Sequence, residues 1–146
     1  MNIRSNALAD LPESIGRLSS LEKLYLDGNQ LIVLPEAMGQ LIHLRALKVS
    51  SNQLESLPQS LKKLEAMETL WLRGNRLALI PACVLELPAL AYLDLSLNCL
   101  AEIPADILNL KSLRSLRVER NRITALSQAP ANTLAGLRER GCEVVL

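Results

Sequence analysis

Apolar residues return along this chain in blocks of 23, a spacing far longer than any helical or strand period. Leu21, Leu24 and Leu26 lead to Asn29, Leu31 and Leu34 lead to Pro35, and Met38 and Leu41 close the block. The next block repeats the pattern with Leu44, Leu47, Val49, Asn52, Leu54, Leu57, Pro58, Leu61 and Leu64. Asn6, Asn29, Asn52, Asn75, Asn98 and Asn121 keep one phase of the repeat, and Pro12, Pro35, Pro58, Pro81 and Pro104 keep another. Each Leu-x-Leu step has a period of two, which predicts a short strand with one face buried. The Asn ends that strand, where a short amide tolerates unusual backbone angles and bonds neighbouring loop backbone. Repeated in every block, the Asn side chains are expected to stack into a ladder that satisfies buried polar groups. The Pro fixes φ and rules out a long helix, leaving extended or short 3₁₀ segments such as 35–41 and 58–64. No block can bury its apolar stripe alone, so stacking must supply the core.

The chain reads as one domain over 1–146, with a partial first repeat at 1–20 and repeats starting near 21, 44, 67, 90 and 113. A C-terminal cap follows at 127–146. The motif Leu-x-x-Leu-x-Leu-x-x-Asn-x-Leu-x-x-Leu-Pro resembles the leucine-rich-repeat family. The likeness is to its 23-residue Leu/Ile-Pro form, known from intracellular Ras-group-type and bacterial repeat proteins. It is close over 2–126 and loose over 127–146. The resemblance implies an α/β solenoid, a right-handed horseshoe with a parallel β-sheet on its concave side. Extended or 3₁₀ segments would form the convex side, and a helix and a strand would form the cap.

Both ends depart from the repeat. At the start, Ile3, Leu8, Leu11, Ile15 and Leu18 are expected to form an exposed apolar end face, since no polar cap precedes them. That end reads as a cut through a longer parent, or alternatively as an edge through which a homodimer forms. At the other end Ser127 replaces the sixth Pro. A helix is expected from Pro130 to about Arg140, with Gly141 just past it and a strand over Cys142–Leu146 that turns Val144 and Leu146 inward.

Composition sharpens the picture. Hydrophobic residues make up 49% of the chain but aromatic residues only 2%, and Phe is absent. A core of Leu, Ile and Val is what one small packing problem, solved repeatedly, requires. Within each strand motif the third, fifth and seventh positions point to the concave side. The fifth positions are Asn2, Tyr25, Lys48, Trp71, Asp94 and Arg117, and the third are Lys23, Ala46, Thr69, Tyr92 and Ser115. The seventh are Arg4, Asp27, Ser50, Arg73, Ser96 and Glu119. All three aromatic residues therefore stand on the open face. Strands lie about 4.8 Å apart, so Trp71 and Tyr92 are expected to touch or nearly touch. Aromatic rings ringed by charge are typical interface anchors, whereas cross-strand support of the sheet is the plainer role. Tyr25, Lys48, Trp71, Arg73, Tyr92, Asp94 and Arg117 are the candidate partner-binding residues. Leu97 and Cys99, in columns otherwise small or polar, would extend an apolar patch near Tyr92.

The net charge is +1, so no global field draws the chain to nucleic acid or an anionic membrane. Residues 108–146 nevertheless hold seven Lys/Arg and three Glu. Arg114, Arg117 and Arg120 on one strand could meet an acidic partner; Glu119 among them argues against nucleic acid. Glu22, Arg45 and Glu68 share a column and are expected to form a surface ion-pair ladder. His43 is the only histidine, with no nucleophile or carboxylate pair spaced to work with it, and no phosphate-loop or zinc-helix motif is present. No enzyme activity, cofactor or metal is expected. Cys83, Cys99 and Cys142 show neither Cys-x-x-Cys spacing nor a disulfide-cap pattern. No apolar run reaches the roughly 18 residues of a membrane span. These features favour a cytoplasmic setting, or alternatively a bacterial effector delivered to a host cell. The function expected is a protein–protein interaction module that binds a protein partner on its concave face. The alternative is the recognition segment of a larger signalling enzyme or effector (a kinase, GTPase or ubiquitin ligase).

Overall fold

Leu24, Leu47, Leu70, Leu93 and Leu116 stand in direct register on successive strands, and all are buried. In the computed structural model, which describes residues 1–123 and 128–146, each Leu-x-Leu motif centres a three-residue strand. These are β1 (Lys23–Tyr25), β2 (Ala46–Lys48), β3 (Thr69–Trp71), β4 (Tyr92–Asp94) and β5 (Ser115–Arg117), with β6 (Glu143–Val145) closing the chain. They form one parallel sheet in sequence order. The chain returns between strands through 3₁₀ turns at Glu13–Arg17, Glu36–Gln40, Gln59–Lys63 and Ala105–Asn109, each entered from an extended proline. The fourth return, α1 (Ala82–Leu85), closes as a single α-helical turn instead. That differs from the expected extended or 3₁₀ segment by one hydrogen-bond register, a small change at one turn's length.

Between sheet and turns lies a single apolar cluster running the length of the solenoid. It contains no ring from Phe, Tyr or Trp. Each fully buried Leu contributes about 1.5–3 kcal/mol of transfer free energy, and every coil supplies several.

The Asn ladder forms as expected. Asn52 Oδ1 accepts from Leu31 N, while its Nδ2 donates to the Leu26 and Val49 carbonyls. Asn75 repeats this one coil on, with Leu54 N, Val49 O and Leu72 O, and Asn98 does so with Leu77 N, Leu72 O and Leu95 O. Each amide thus bonds its own coil and the one before it. One position before each Asn the backbone is left-handed. Gly28 (φ 68) and Gly74 (φ 67) occupy it without cost, whereas Ser5, Ser51, Leu97 and Arg120 adopt φ of 54 to 56 there.

At the start of the chain, Asn2 bridges in parallel to Tyr25, extending the sheet by one residue pair. The end face expected to be open is only partly so. Leu11 and Ile15 are buried and Ile3 and Leu8 are partly so, which leaves Leu18 as the exposed member at 42%. A groove of about 410 Å³ remains, lined by Met1, Leu8, Leu11, Ile15 and Leu18 among others.

At the other end α2 spans Gln128–Glu139 and buries Leu134 and Leu137. The helix starts two residues ahead of Pro130. Gly141 follows it at φ +79 and donates to Arg138 O, as a helix-terminating glycine should. Val144 pairs with Leu116 and turns inward as expected. Leu146 does not: it is 54% exposed, because β6 ends at Val145 and the last residue runs past the sheet. Ser127, the site of the absent sixth proline, lies outside the described residues.

Candidate functional site

Strand register places Tyr25, Lys48, Trp71, Asp94 and Arg117 in one row across the open face of the sheet. Alternation turns the leucine or valine on either side of each into the core, so these five side chains face outward. Tyr92 stands two residues before Asp94, opposite Thr69 and Ser115, and is 46% exposed. Arg73 stands two residues after Trp71 and is exposed.

The rings are not held by one another. Lys48 Nζ lies 3.0 Å from the centroid of the Trp71 ring and 5.2 Å from that of Tyr25. Arg4 Cζ stands over the Tyr25 ring at 4.6 Å. The row is therefore a ladder of alternating cation and ring: Arg4, Tyr25, Lys48, Trp71. Such contacts are favourable because the negative face of a ring attracts a cation. Trp71 and Tyr92, expected to touch or nearly touch, stand in a diagonal relation on adjacent strands. Trp71 registers with Asp94 and Tyr92 with Thr69, and a two-residue offset on adjacent strands separates Cα atoms by about 8 Å.

The Arg4 end of the ladder is anchored. Arg4 Nε donates to Asp27 Oδ2 at 2.7 Å, and Asp27 Oδ1 accepts from Ser50 N at 2.9 Å. Burial beside the rings lowers the Lys48 ammonium below its ordinary value, Arg4 pushes the same way, and Asp27 opposes them. Asp94 Oδ1 accepts from both the backbone N–H and the hydroxyl of Ser96. Ser96 is fully buried, so this seventh position is not open surface as its column implied. Arg73 Nη1 reaches the Ser96 hydroxyl at 3.3 Å. Arg117 pairs with Glu119 at 3.2 Å; that hydrogen bond and charge hold its guanidinium above the ordinary arginine range.

The carboxylates of this face are thus taken up internally, while Lys48 and Arg73 keep donors free of any carboxylate among the described residues. Arg4 was the member that pattern reading left out of the site. Its signal was its place one coil before Asp27 in the same column. The three arginines expected on one strand are not all there: β5 holds only Arg117, Arg114 precedes it and lines a notch with Lys111 and Arg140, and Arg120 sits at the left-handed position past the strand. Of the charge column, Arg45 bonds Glu68 at 2.7 Å, and Glu22 forms no ion pair among the described residues. Leu97 and Cys99 are half-buried, so neither builds an open apolar patch. Cys83 and Cys142 are buried, and burial pushes the Cys83 thiol up to about 11. Among the described residues no helix is long and apolar enough to cross a membrane.

A family model described as a leucine-rich repeat region matches residues 36–139, and a second leucine-rich-repeat model matches 20–41. The chain belongs to the leucine-rich-repeat family. Among solved structures, a leucine-rich-repeat protein of Leptospira interrogans matches this repeat protein with a TM-score of 0.85 at 30% identity, over 92% of this chain and 34% of its own. An internalin of Listeria monocytogenes matches with a TM-score of 0.77 at 23% identity, covering 93% and 37% respectively. The Arabidopsis receptor kinase HAESA, solved in complex with a peptide hormone and a co-receptor, matches at 0.69 and 28%, covering 83% and 25%. The repeat domain described here spans about a third of the length of the first two relatives. Sequence comparison with curated proteins returns no match.

Proposed function

We propose that this repeat domain is a protein-binding module that grips its partner with the concave face, centred on Tyr25, Lys48, Trp71, Arg73, Tyr92, Asp94 and Arg117. The observation that carries it is where the rings stand. A chain with three aromatic residues places none in the core and sets all three on one open face, two of them with a cation against the ring. Packing alone would put that apolar area inside; on the surface, large rings beside free donors are the material of binding hot spots. The repeat family and its likeness to a receptor solved with a peptide hormone and co-receptor support this reading. The likeness to a receptor kinase supports a second, compatible reading: the same face acting as the recognition segment of a larger signalling protein.

The test is affinity capture with wild type and Trp71→Ala/Tyr92→Ala side by side, with far-UV circular dichroism to check the fold. Trp71 is the only tryptophan, so its fluorescence then reports titration of the purified partner at the site itself. The double variant should stay folded and lose the main captured protein. Equal recovery would move the site off this face, and loss of fold would assign the rings to packing.

A further inference from the structure

Beside Tyr92, where the loops entering β4 and β5 meet the end of α2, Lys111, Arg114 and Arg140 line an open notch of about 640 Å³. Lys111 Nζ donates to Leu108 O at 2.9 Å, and Arg140 Nη1 donates to the same oxygen at 3.0 Å. Two full positive charges thus converge on one neutral carbonyl, no more than about 6 Å apart by those distances. A carbonyl dipole offsets only part of their repulsion. The one carboxylate lining the notch is Glu68, which is already bonded to Arg45 at 2.7 Å. None of the three cations has a carboxylate partner among the described residues. All three are exposed, so the notch offers an incoming anion three cations with no competing internal carboxylate.

We propose that this notch binds a dianionic phosphoryl group, carried as a phosphate monoester on a protein partner. Two guanidinium forks and an ammonium match the three oxygens of such a group better than the two of a carboxylate. Tyr92 belongs both to the wall of the notch and to the concave face. A phosphorylated residue seated here therefore lays its flanking residues onto the row of rings. The choice of a peptide as carrier rests on the concave-face reading; the phosphoryl site itself does not.

The experiment titrates the ¹⁵N-labelled full chain by NMR with three probes: an alanine pentapeptide with central phosphoserine, its central-glutamate analogue, and a six-nucleotide uridine RNA. Shifts should saturate at the Arg114 and Arg140 Nε–H groups and the Ser112 and Leu113 amides. The phosphopeptide should bind about tenfold or more tighter than the glutamate peptide, the worth of one added charge-assisted hydrogen bond. Arg114→Gln/Arg140→Gln should weaken it at least about tenfold on the same grounds. Arg114→Gln alone, whose side chain holds no structural hydrogen bond among those described, should also weaken it and guards against a folding artefact. Trp71→Ala should retain phosphopeptide binding, so a failed concave face and a failed notch give different results. Tighter binding of the RNA, shifts spread evenly over distant cations such as Arg17 and Arg76, or indifference to both arginine variants would each overturn the proposal.

Discussion

Replacing Asn75 by Ala removes one rung from the middle of the amide ladder, and the bonds around it show what is lost. Asn75 is 7% exposed, accepts from Leu54 N at 3.0 Å, and donates to Val49 O at 3.0 Å and Leu72 O at 2.9 Å. The two carbonyls are not orphaned, because Val49 O also accepts from Asn52 and Leu72 O from Asn98. Leu54 N–H has Asn75 as its partner, in a buried setting. The cost is therefore one orphaned buried donor, about 1–3 kcal/mol, plus the net worth of two further bonds at about 1 kcal/mol each. A loss of about 3–5 kcal/mol is expected, large against the roughly 5–15 kcal/mol of a whole domain. Asn6→Ala is the control: Asn6 is exposed and its amide donates only to Arg4 O, so the variant should cost less than about 1 kcal/mol. Urea titration followed by both Trp71 fluorescence and circular dichroism measures the difference, and agreement of the two probes checks that the coils unfold together. Amide exchange at Leu54 reads the orphan directly. Equal costs for the two variants, or an unchanged Leu54 exchange rate, would refute the reasoning.

Further outcomes follow from single positions. Lys48→Met should cost less than about 1 kcal/mol, the scale of an exposed cation–ring contact, yet change the Trp71 emission. Since the native ammonium is lowered below its ordinary 10.5, the unfolded chain holds more protons between the two values, so this group's contribution to stability rises with pH across that window. The wild-type Trp71 emission should titrate there and that of Lys48→Met should not. Cys83 acts in the opposite sense: its thiol is raised from 9.0 to about 11, so the unfolded chain ionises first and stability falls between those values. Thiol labelling at pH 8 should accordingly find half-buried Cys99 first, with Cys83 and Cys142 reacting only on unfolding. Leu97→Gly should raise stability by up to about 1 kcal/mol in thermal melts by relieving a left-handed leucine, while Gly74→Ala should lower it by about 1–2 kcal/mol.

The solenoid was legible because every coil restates the same constraints. A strand one residue out of phase would expose Leu24 and Leu26 together with their counterparts in every later coil, so the register had one solution. The Asn could be read as a ladder because one residue type with both donor and acceptor, at one phase, has few other uses in a dry turn. The ends were harder for the same reason, since neither is constrained by a neighbour on both sides. Asn2 joins the sheet by a single bridge, and Leu11 and Ile15 are buried in the first coil, neither of which a motif encodes. Leu146 continues the alternation of Val144 on paper, but the sheet it would extend has already stopped.

The site was legible as positions and illegible as contacts. Column arithmetic placed Tyr25, Lys48, Trp71, Asp94 and Arg117 in one row, and the strand pairing agrees residue for residue. What a row cannot say is which way a long side chain leans. Lys48 has four methylenes with which to choose between rings on either side, and it lies closer to Trp71 than to Tyr25. Asp27 fixes Arg4 over the far ring through an ion pair that spans a whole coil. The notch is a stronger case, because Lys111 and Arg114 come from one coil and Arg140 from the cap. Their convergence depends on how the cap seats against the last repeat, the one junction where the 23-residue rule gives no guidance. Repetition thus reveals the scaffold by its agreement, and the sites most worth testing lie where side-chain reach or a broken repeat leaves the pattern without a prediction.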